Sequence, residues 1–69
     1  MKPTVHFLRD SIVISSGRIS VACLDHPRLG CARIITSELV EMFDDGSFET
    51  LNSFYVPVDE EHMDDYIKE

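Results

Sequence analysis

The sequence has few cysteines, no long apolar run and no recognisable catalytic or cofactor motif. It contains two cysteines in 69 residues, whereas secreted scaffolds of this size usually carry about four to eight, so we expect reduced thiols. No apolar run approaches the roughly 20 residues that a membrane-spanning helix requires, and the first residues lack the three regions of a secretory signal. These absences predict a soluble, cytoplasmic protein that does not enter a membrane.

Candidate ligands and nucleophiles are scattered along the chain. Cys23, His26 and Cys31 have a spacing typical of a zinc knuckle, but structural zinc takes four ligands, and Asp25 or His62 would have to complete the set. A small, buried Cys23 explains that position more simply, and the three histidines occur in unrelated contexts. A chain this short also has little room for a deep cleft. We therefore predict no metal, no cofactor and no enzymatic activity.

Charge is distributed unevenly between the two halves of the chain, whose net charge is −7. Residues 1–37 hold five basic and two acidic residues, whereas residues 38–69 hold eleven acidic residues and one lysine. The acidic half would repel phosphate groups. Direct binding to nucleic acid is therefore disfavoured, unless the basic residues of the first half form a separate face. Those residues are Lys2, Arg9, Arg18, Arg28 and Arg33.

The strongest structural signal is an Asp-Gly turn. Asp44-Asp45-Gly46-Ser47 lies between two apolar, β-prone runs, which is the pattern of a β-hairpin. We predict strands over 33–43 and 48–58, with a bulge near Thr36-Ser37 in the first. On the second strand, Phe54 and Val56 are expected to face the core.

A helix is the alternative for part of the first of these strands. Leu39, Val40 and Phe43 also fit one helical face, and Ser37 and Gly46 would suit the two ends of a helix over 37–45. A helix of about nine residues is marginal on its own, so the strand is preferred.

The first part of the chain also has a β pattern. Short apolar runs cover residues 5–8 and 11–15, and Ile19, Val21 and Cys23 alternate with smaller or polar residues. Ser16-Gly17 separates the second run from the third, which predicts a hairpin over 11–24. Residues 25–30 contain Pro and Gly and are predicted to form a loop.

The last residues, 59–69, form an acidic tail that we expect to be a short helix. Asp59 would cap it, and Met63, Tyr66 and Ile67 would form one apolar stripe. The predicted architecture is thus mainly β, with four to five strands in a small antiparallel curled sheet or an SH3-like barrel. It comprises a single β-rich domain over 1–58, followed by the tail.

The hairpin region contains a spaced pattern of residues, Thr36-Ser37-x-x-Val40, Asp45-Gly46-x-Phe48-x-Thr50 and Asn52-Ser53-x-Tyr55. This pattern resembles a motif of small, mostly uncharacterised proteins from phages, prophages and plasmids. The similarity covers residues 35–56. The resemblance implies a compact β-barrel or curled sheet, a strand over 33–43 and a mobile-element origin, and it carries no functional residue.

The acidic half is the main candidate for a binding surface, although solubility alone would also explain it. Our hypothesis is a non-enzymatic inhibitor of the anti-defence or anti-CRISPR type, acting in a host bacterial cell on a nucleic-acid-handling complex with a basic surface. The alternatives are a homo-oligomeric structural or virion-assembly protein and a nucleic-acid-binding β-barrel. The predicted partner-binding residues are Asp44, Asp45, Glu49, Phe54, Tyr55, Asp59, Glu60, Glu61, Met63, Asp64, Asp65 and Tyr66.

Overall fold

The computed structural model describes residues 2–67 and confirms a mainly β fold with a curled, half-barrel sheet. These residues form seven strands, more than the four to five predicted. The predicted C-terminal helix is a 3₁₀ turn of six residues, and no helix among residues 2–67 is long and apolar enough to cross a membrane. The strands are β1 (Thr4–Leu8), β2 (Val13–Ser15), β3 (Arg18–His26), β4 (Gly30–Ile35), β5 (Leu39–Met42), β6 (Phe48–Thr50) and β7 (Phe54–Val58), and the 3₁₀ helices are Arg9–Ser11 and Glu60–Asp65.

β1 and β2 lie along the same edge of β3 as one interrupted strand. Phe7 is in register with Cys23, so an uninterrupted strand would place residue 10 opposite Ser20. Val13 is opposite Ser20 instead, which means that three extra residues lie between β1 and β2. The short 3₁₀ helix Arg9–Ser11 contains the insertion. The Ser11 hydroxyl accepts a hydrogen bond from the Ala22 N–H at 2.9 Å, which satisfies a backbone donor that the interrupted ladder leaves free.

The predicted first hairpin is confirmed. β2 pairs with β3 across a two-residue turn in which both Ser16 and Gly17 have positive φ, 52° and 75°. Two left-handed residues are what a type I′ hairpin turn requires. β3 then continues to His26 and pairs with β4, so the loop predicted over 25–30 is a tighter turn than expected.

The strand predicted over 33–43 is two strands that pair with different neighbours. β4 pairs with β3, whereas β5 pairs with β6. Between them the Thr36 N–H still bonds to the Ile19 carbonyl at 2.9 Å, and two residues later the Glu38 carbonyl accepts from the Leu51 N–H at 3.1 Å. The predicted bulge is thus a crossing from one part of the sheet to the other, and the helix considered for 37–45 is wrong.

The hairpin at the Asp-Gly turn is confirmed. The Phe43 N–H bonds to the Ser47 carbonyl at 2.9 Å and the Gly46 N–H to the Phe43 carbonyl at 3.2 Å, closing a three-residue loop. Gly46 has φ of +92°, the left-handed conformation that ends such loops.

One strand pair is parallel, which the antiparallel prediction did not include. β1 pairs with β7 in parallel, from Thr4 opposite Phe54 to Leu8 opposite Val58. This register puts Tyr55 beside Val5 on the inner face, where both are buried, and leaves Phe54 exposed. The prediction that Phe54 and Val56 face the core was therefore wrong.

The core fills the concave side of the sheet. It contains residues from the first and last thirds of the chain, and three of its rings are packed together. Phe48 stacks on Tyr55 with 4.8 Å between ring centroids, and Phe7 lies 5.5 Å from Phe48. The buried cluster consists of Val5, Phe7, Ile19, Val21, Cys23, Phe48 and Tyr55.

Candidate functional site

The acidic tail docks on the convex face of the sheet. His6 and Val56 are in register on that face, and the Tyr66 ring stacks on the His6 ring with 4.3 Å between centroids. Met63 and Ile67 are half-buried. Part of the apolar stripe predicted for the tail is thus used within the protein, although Tyr66 keeps 38% of its surface exposed.

A carboxylate holds the histidine on which Tyr66 stacks. Asp25 accepts the His6 backbone N–H at 2.6 Å, and its second oxygen lies 2.6 Å from His6 Nδ1. Such a pair fixes the orientation of an imidazole, as it does in many catalytic sites. Here the tyrosine covers one face of the ring, so the arrangement acts as an anchor for the tail. No sequence pattern predicted this pair, since the two residues are 19 positions apart.

Arg9 joins the Asp-Gly turn to the start of the tail. Its Nη1 donates to the Asp45 carbonyl at 3.2 Å, and its Nε donates to Asp59 Oδ1 at 2.9 Å, across 50 positions of sequence. Asp59 was predicted to cap the last helix, but its side chain makes no capping hydrogen bond because Arg9 binds it. Asp65 and His62 line the same shallow depression as Arg9.

The turn and the tail together form one exposed acidic region, which we call the acidic surface. Its seven carboxylates face solvent, and Arg9 binds both the turn and Asp59. Many of the predicted partner-binding carboxylates thus lie on two segments that Arg9 joins. The acidic surface consists of Asp44, Asp45, Asp59, Glu60, Glu61, Asp64 and Asp65.

Asp45 is the most strongly organised carboxylate of the acidic surface. Hydrogen bonds from the Ser47 hydroxyl and from the Ser47 backbone N–H hold the pKa of the Asp45 carboxyl below its ordinary value, and Arg9 lowers it further. The negative charge at the tip of the turn therefore persists into acid.

Two of the predicted partner-binding residues lie apart from the acidic surface. Glu49 forms a salt bridge with Lys2, whose ammonium group also donates to the Thr50 carbonyl at 2.9 Å and lies 5.6 Å from the centre of the Phe54 ring. The Glu49 charge is therefore neutralised within the protein, and the lysine partly covers the aromatic ring.

The structure contradicts the prediction of Tyr55 as a partner contact. Its side chain is only 3% exposed and packs against Phe48 in the core, where burial raises the pKa of its phenol. Neighbouring residues alternate between the two faces of a strand, so Phe54 and Tyr55 could not both face a partner.

The basic residues of the first half are largely used within the protein. Lys2 and Arg9 pair with carboxylates, and Arg33 donates to the Ser20 hydroxyl and to the Ser11 carbonyl, both at 2.8 Å. A nucleic-acid interface built from all five basic residues would require these contacts to break.

The potential metal ligands are arranged differently from a zinc knuckle. Burial raises the pKa of Cys23 to about 11, which disfavours the thiolate that zinc binds, and Cys31 is exposed and also free. Asp59, Glu61 and His62 place one ligand atom each within 4.8 Å of the others, but Arg9 already binds Asp59. We assign no metal to these exposed groups.

One exposed surface, which lies on β5, was not predicted from the sequence. Every residue from Glu38 to Asp45 is exposed, including the apolar Leu39, Val40, Met42 and Phe43. In the sequence these apolar residues looked like part of a core, because a hairpin strand normally buries one face. The available signal was that apolar residues occupy both faces of the strand, with Glu41 between them and acidic residues at both ends.

No protein-family model, curated protein or solved structure matches this chain. The surfaces described above are therefore the observations that bear on its function.

Proposed function

We propose that the protein is a non-enzymatic binding module whose acidic surface docks on a basic surface of another protein. The observation that carries this proposal is the pair of Arg9 hydrogen bonds, which hold the Asp-Gly turn against the tail. These bonds concentrate carboxylates from two distant parts of the chain in one place. Clustered charge of one sign speeds association with a partner of opposite sign and selects against other partners.

The partner we propose is a nucleic-acid-handling complex of a host bacterium, such as a defence nuclease. Proteins that hold nucleic acid present basic channels to its phosphate groups, and a cluster of exposed carboxylates has the charge to occupy such a channel. The protein would then be an inhibitor from a phage or another mobile element, of the anti-CRISPR type, acting in the host cytoplasm by steric and electrostatic occlusion.

The experiment is a pull-down from bacterial lysate with the wild-type protein and two matched variants. One variant replaces Glu60, Glu61, Asp64 and Asp65 by lysine. The other exchanges Asp and Glu at the same four positions, which retains the charge. All four side chains are exposed, so we expect both variants to fold.

The proposal expects a basic complex to bind wild type and the exchanged variant, to elute as salt rises, and to be lost from the lysine variant. Retention of the same complex by the lysine variant, at equal salt resistance, would contradict it. If a partner is recovered, a competition assay with the purified partner would show whether nucleic acid and this protein bind the same surface of that partner.

The exposed β5 strand favours a second candidate function, a homo-oligomeric structural or assembly protein. Unpaired strand edges with apolar side chains readily associate with one another. Light scattering of the purified protein tests this candidate, and a discrete oligomer that persists on dilution would support it.

A further inference from the structure

The outer edge of β5 has no neighbouring strand among residues 2–67. β5 pairs with β6 on one side and ends the strand order of the sheet. The Phe43 N–H bonds to Ser47 in this ladder, and bonding alternates along an antiparallel pair. The backbone groups of Met42 therefore point away from β6. Val40 lies at the register shift, between the pairs made by Leu39 and Glu41.

An apolar groove lies beside this edge, where the half-barrel is open. Ile12 and Ile14 line it from the side of β2, Met42 lines it from β5, and Phe7 and Pro57 also contribute to its walls. β2 and β5 do not pair with each other. The groove measures about 160 Å³, below the ~300–1,000 Å³ of typical small-molecule sites. This size suits one apolar side chain of a polypeptide.

Charge selects the kind of polypeptide that fits. Glu38, Glu41, Asp44 and Asp45 flank or interrupt the apolar residues of β5, and all are exposed. If a second copy of the chain paired with this edge in the antiparallel register centred on Glu41, Glu41 would lie opposite its own copy and Glu38 opposite Asp44. Like charges directly opposite each other destabilise a strand pair. This register is therefore unfavourable for a second copy, whereas a basic strand would meet opposite charges along the edge.

We propose that the β5 edge and its groove bind an extended basic segment of the partner protein by strand addition. The partner's backbone bonds to the free groups of β5, one apolar side chain enters the groove, and Lys or Arg side chains lie beside Glu38 and Glu41. The partner is the protein that the acidic surface recognises, so this inference rests on the proposed function. The groove supplies the apolar anchor that a charged interface needs. Tyr55 cannot serve as this anchor because it is buried, and Tyr66 already stacks on His6.

The test uses a short synthetic peptide in which lysine alternates with valine and leucine. A peptide with glutamate in place of lysine is the charge control. Calorimetry measures the affinity, and hydrogen exchange followed by NMR locates the protected amides. We expect the lysine peptide to bind and to protect the amide of Met42, and the glutamate peptide not to bind.

Three variants separate the β5 edge from other exposed apolar surface. Met42→Pro removes the outward donor and a side chain that lines the groove, so it should weaken binding by about tenfold or more. Glu41→Lys should weaken binding by repulsion without changing the backbone. Leu29→Lys, in the turn between β3 and β4, is the matched control and should bind as wild type does. Thermal unfolding checks that each variant folds. Should Met42→Pro fail to fold, Glu41→Lys decides.

Several results would overturn the inference: equal affinity in all variants, protection confined to the tail, or a dimer that protects β5 without peptide. Its failure is distinguishable from that of the proposed function. If reversing the tail charges abolishes partner binding while the peptide leaves β5 unprotected, the acidic surface stands and the β5 site falls. If the peptide protects β5 while the variant with reversed tail charges still binds the partner, the β5 site stands and the role of the acidic surface falls.

Discussion

Replacing Gly46 by alanine should destabilise the protein more than replacing Gly17 by alanine. Both glycines have positive φ, +92° and +75°, so both substitutions strain the backbone by about 1–2 kcal/mol. They differ in what the new methyl group meets. At Gly17 no atom lies within 4 Å, whereas at Gly46 the methyl would lie 3.1 Å from Arg9 Nη1 and 3.5 Å from Pro57 Cγ.

The difference between the two variants therefore measures the cost of displacing Arg9. The guanidinium must move away from the Asp45 carbonyl, and an exposed hydrogen bond of this kind contributes about 1 kcal/mol. We expect a loss of about 1–2 kcal/mol for Gly17→Ala and about 2–3 kcal/mol for Gly46→Ala. In a domain of this size 1 kcal/mol corresponds to about 4–8 °C in Tm. Gly46→Val should cost more, since a β-branched residue rarely adopts positive φ.

Urea unfolding followed by circular dichroism measures both losses, and an unchanged m-value shows that the unfolding transition is the same. Gly46→Ala as stable as wild type would refute the left-handed turn and with it the hairpin. Equal losses in the two alanine variants would refute the contact between Arg9 and the turn, and would remove the observation on which the acidic surface depends.

Three further perturbations test the core, the junction with the tail and the buried thiol. Phe48→Ala should cost about 3–5 kcal/mol, a large part of the stability of a domain this small; a Tm within a few degrees of wild type would contradict the described core. Arg9→Ala should cost about 1–2 kcal/mol and speed amide exchange in the Asp-Gly turn and the tail together, and unchanged exchange would mean that Arg9 does not join them. At pH 8 a thiol reagent should modify Cys31 in the native protein and Cys23 only after unfolding. Burial raises the pKa of Cys23 from 9.0 to about 11 and that of Tyr55 above 10.0, so these groups ionise at lower pH in the unfolded chain. The free energy of unfolding should therefore fall as the pH rises from about 9 to 11, and Cys23→Ala should make this fall smaller.

Local turn chemistry explains why much of the fold was predictable. Ser16-Gly17 and the Asp-Gly turn place residues with positive φ between β-prone runs, and both hairpins form where those residues stand. The division of 33–43 into two strands was not predictable, because the choice of partner strand depends on distant hydrogen bonds made by Thr36 and Glu38.

The buried face of β7 was undetermined for a different reason. Phe54 and Val56 on one face, and Tyr55 and Pro57 on the other, are all apolar, so hydrophobicity does not choose between the faces. The parallel register with β1 does choose, and parallel pairing across most of the chain has no local sequence signal.

The candidate site was predictable in its charge and unpredictable in its assembly. A run of carboxylates is visible in the sequence, whereas the arginine that joins the turn to the tail lies in the other half. The apolar stripe of the tail was also visible, but the stacking of Tyr66 on His6 is a tertiary contact that no spacing rule supplies.

The central position of β1 has a consequence for how the chain folds. Its pairing with β3 joins residues that are close in sequence, such as Phe7 and Cys23, whereas its pairing with β7 joins residues that are far apart, such as Thr4 and Phe54. Until the latter contact forms, Val5 and Phe7 lie on an open strand that other chains could pair with. The strand that contributes most to the centre of the sheet is thus the last to gain its second neighbour, and folding should be slow for so small a protein.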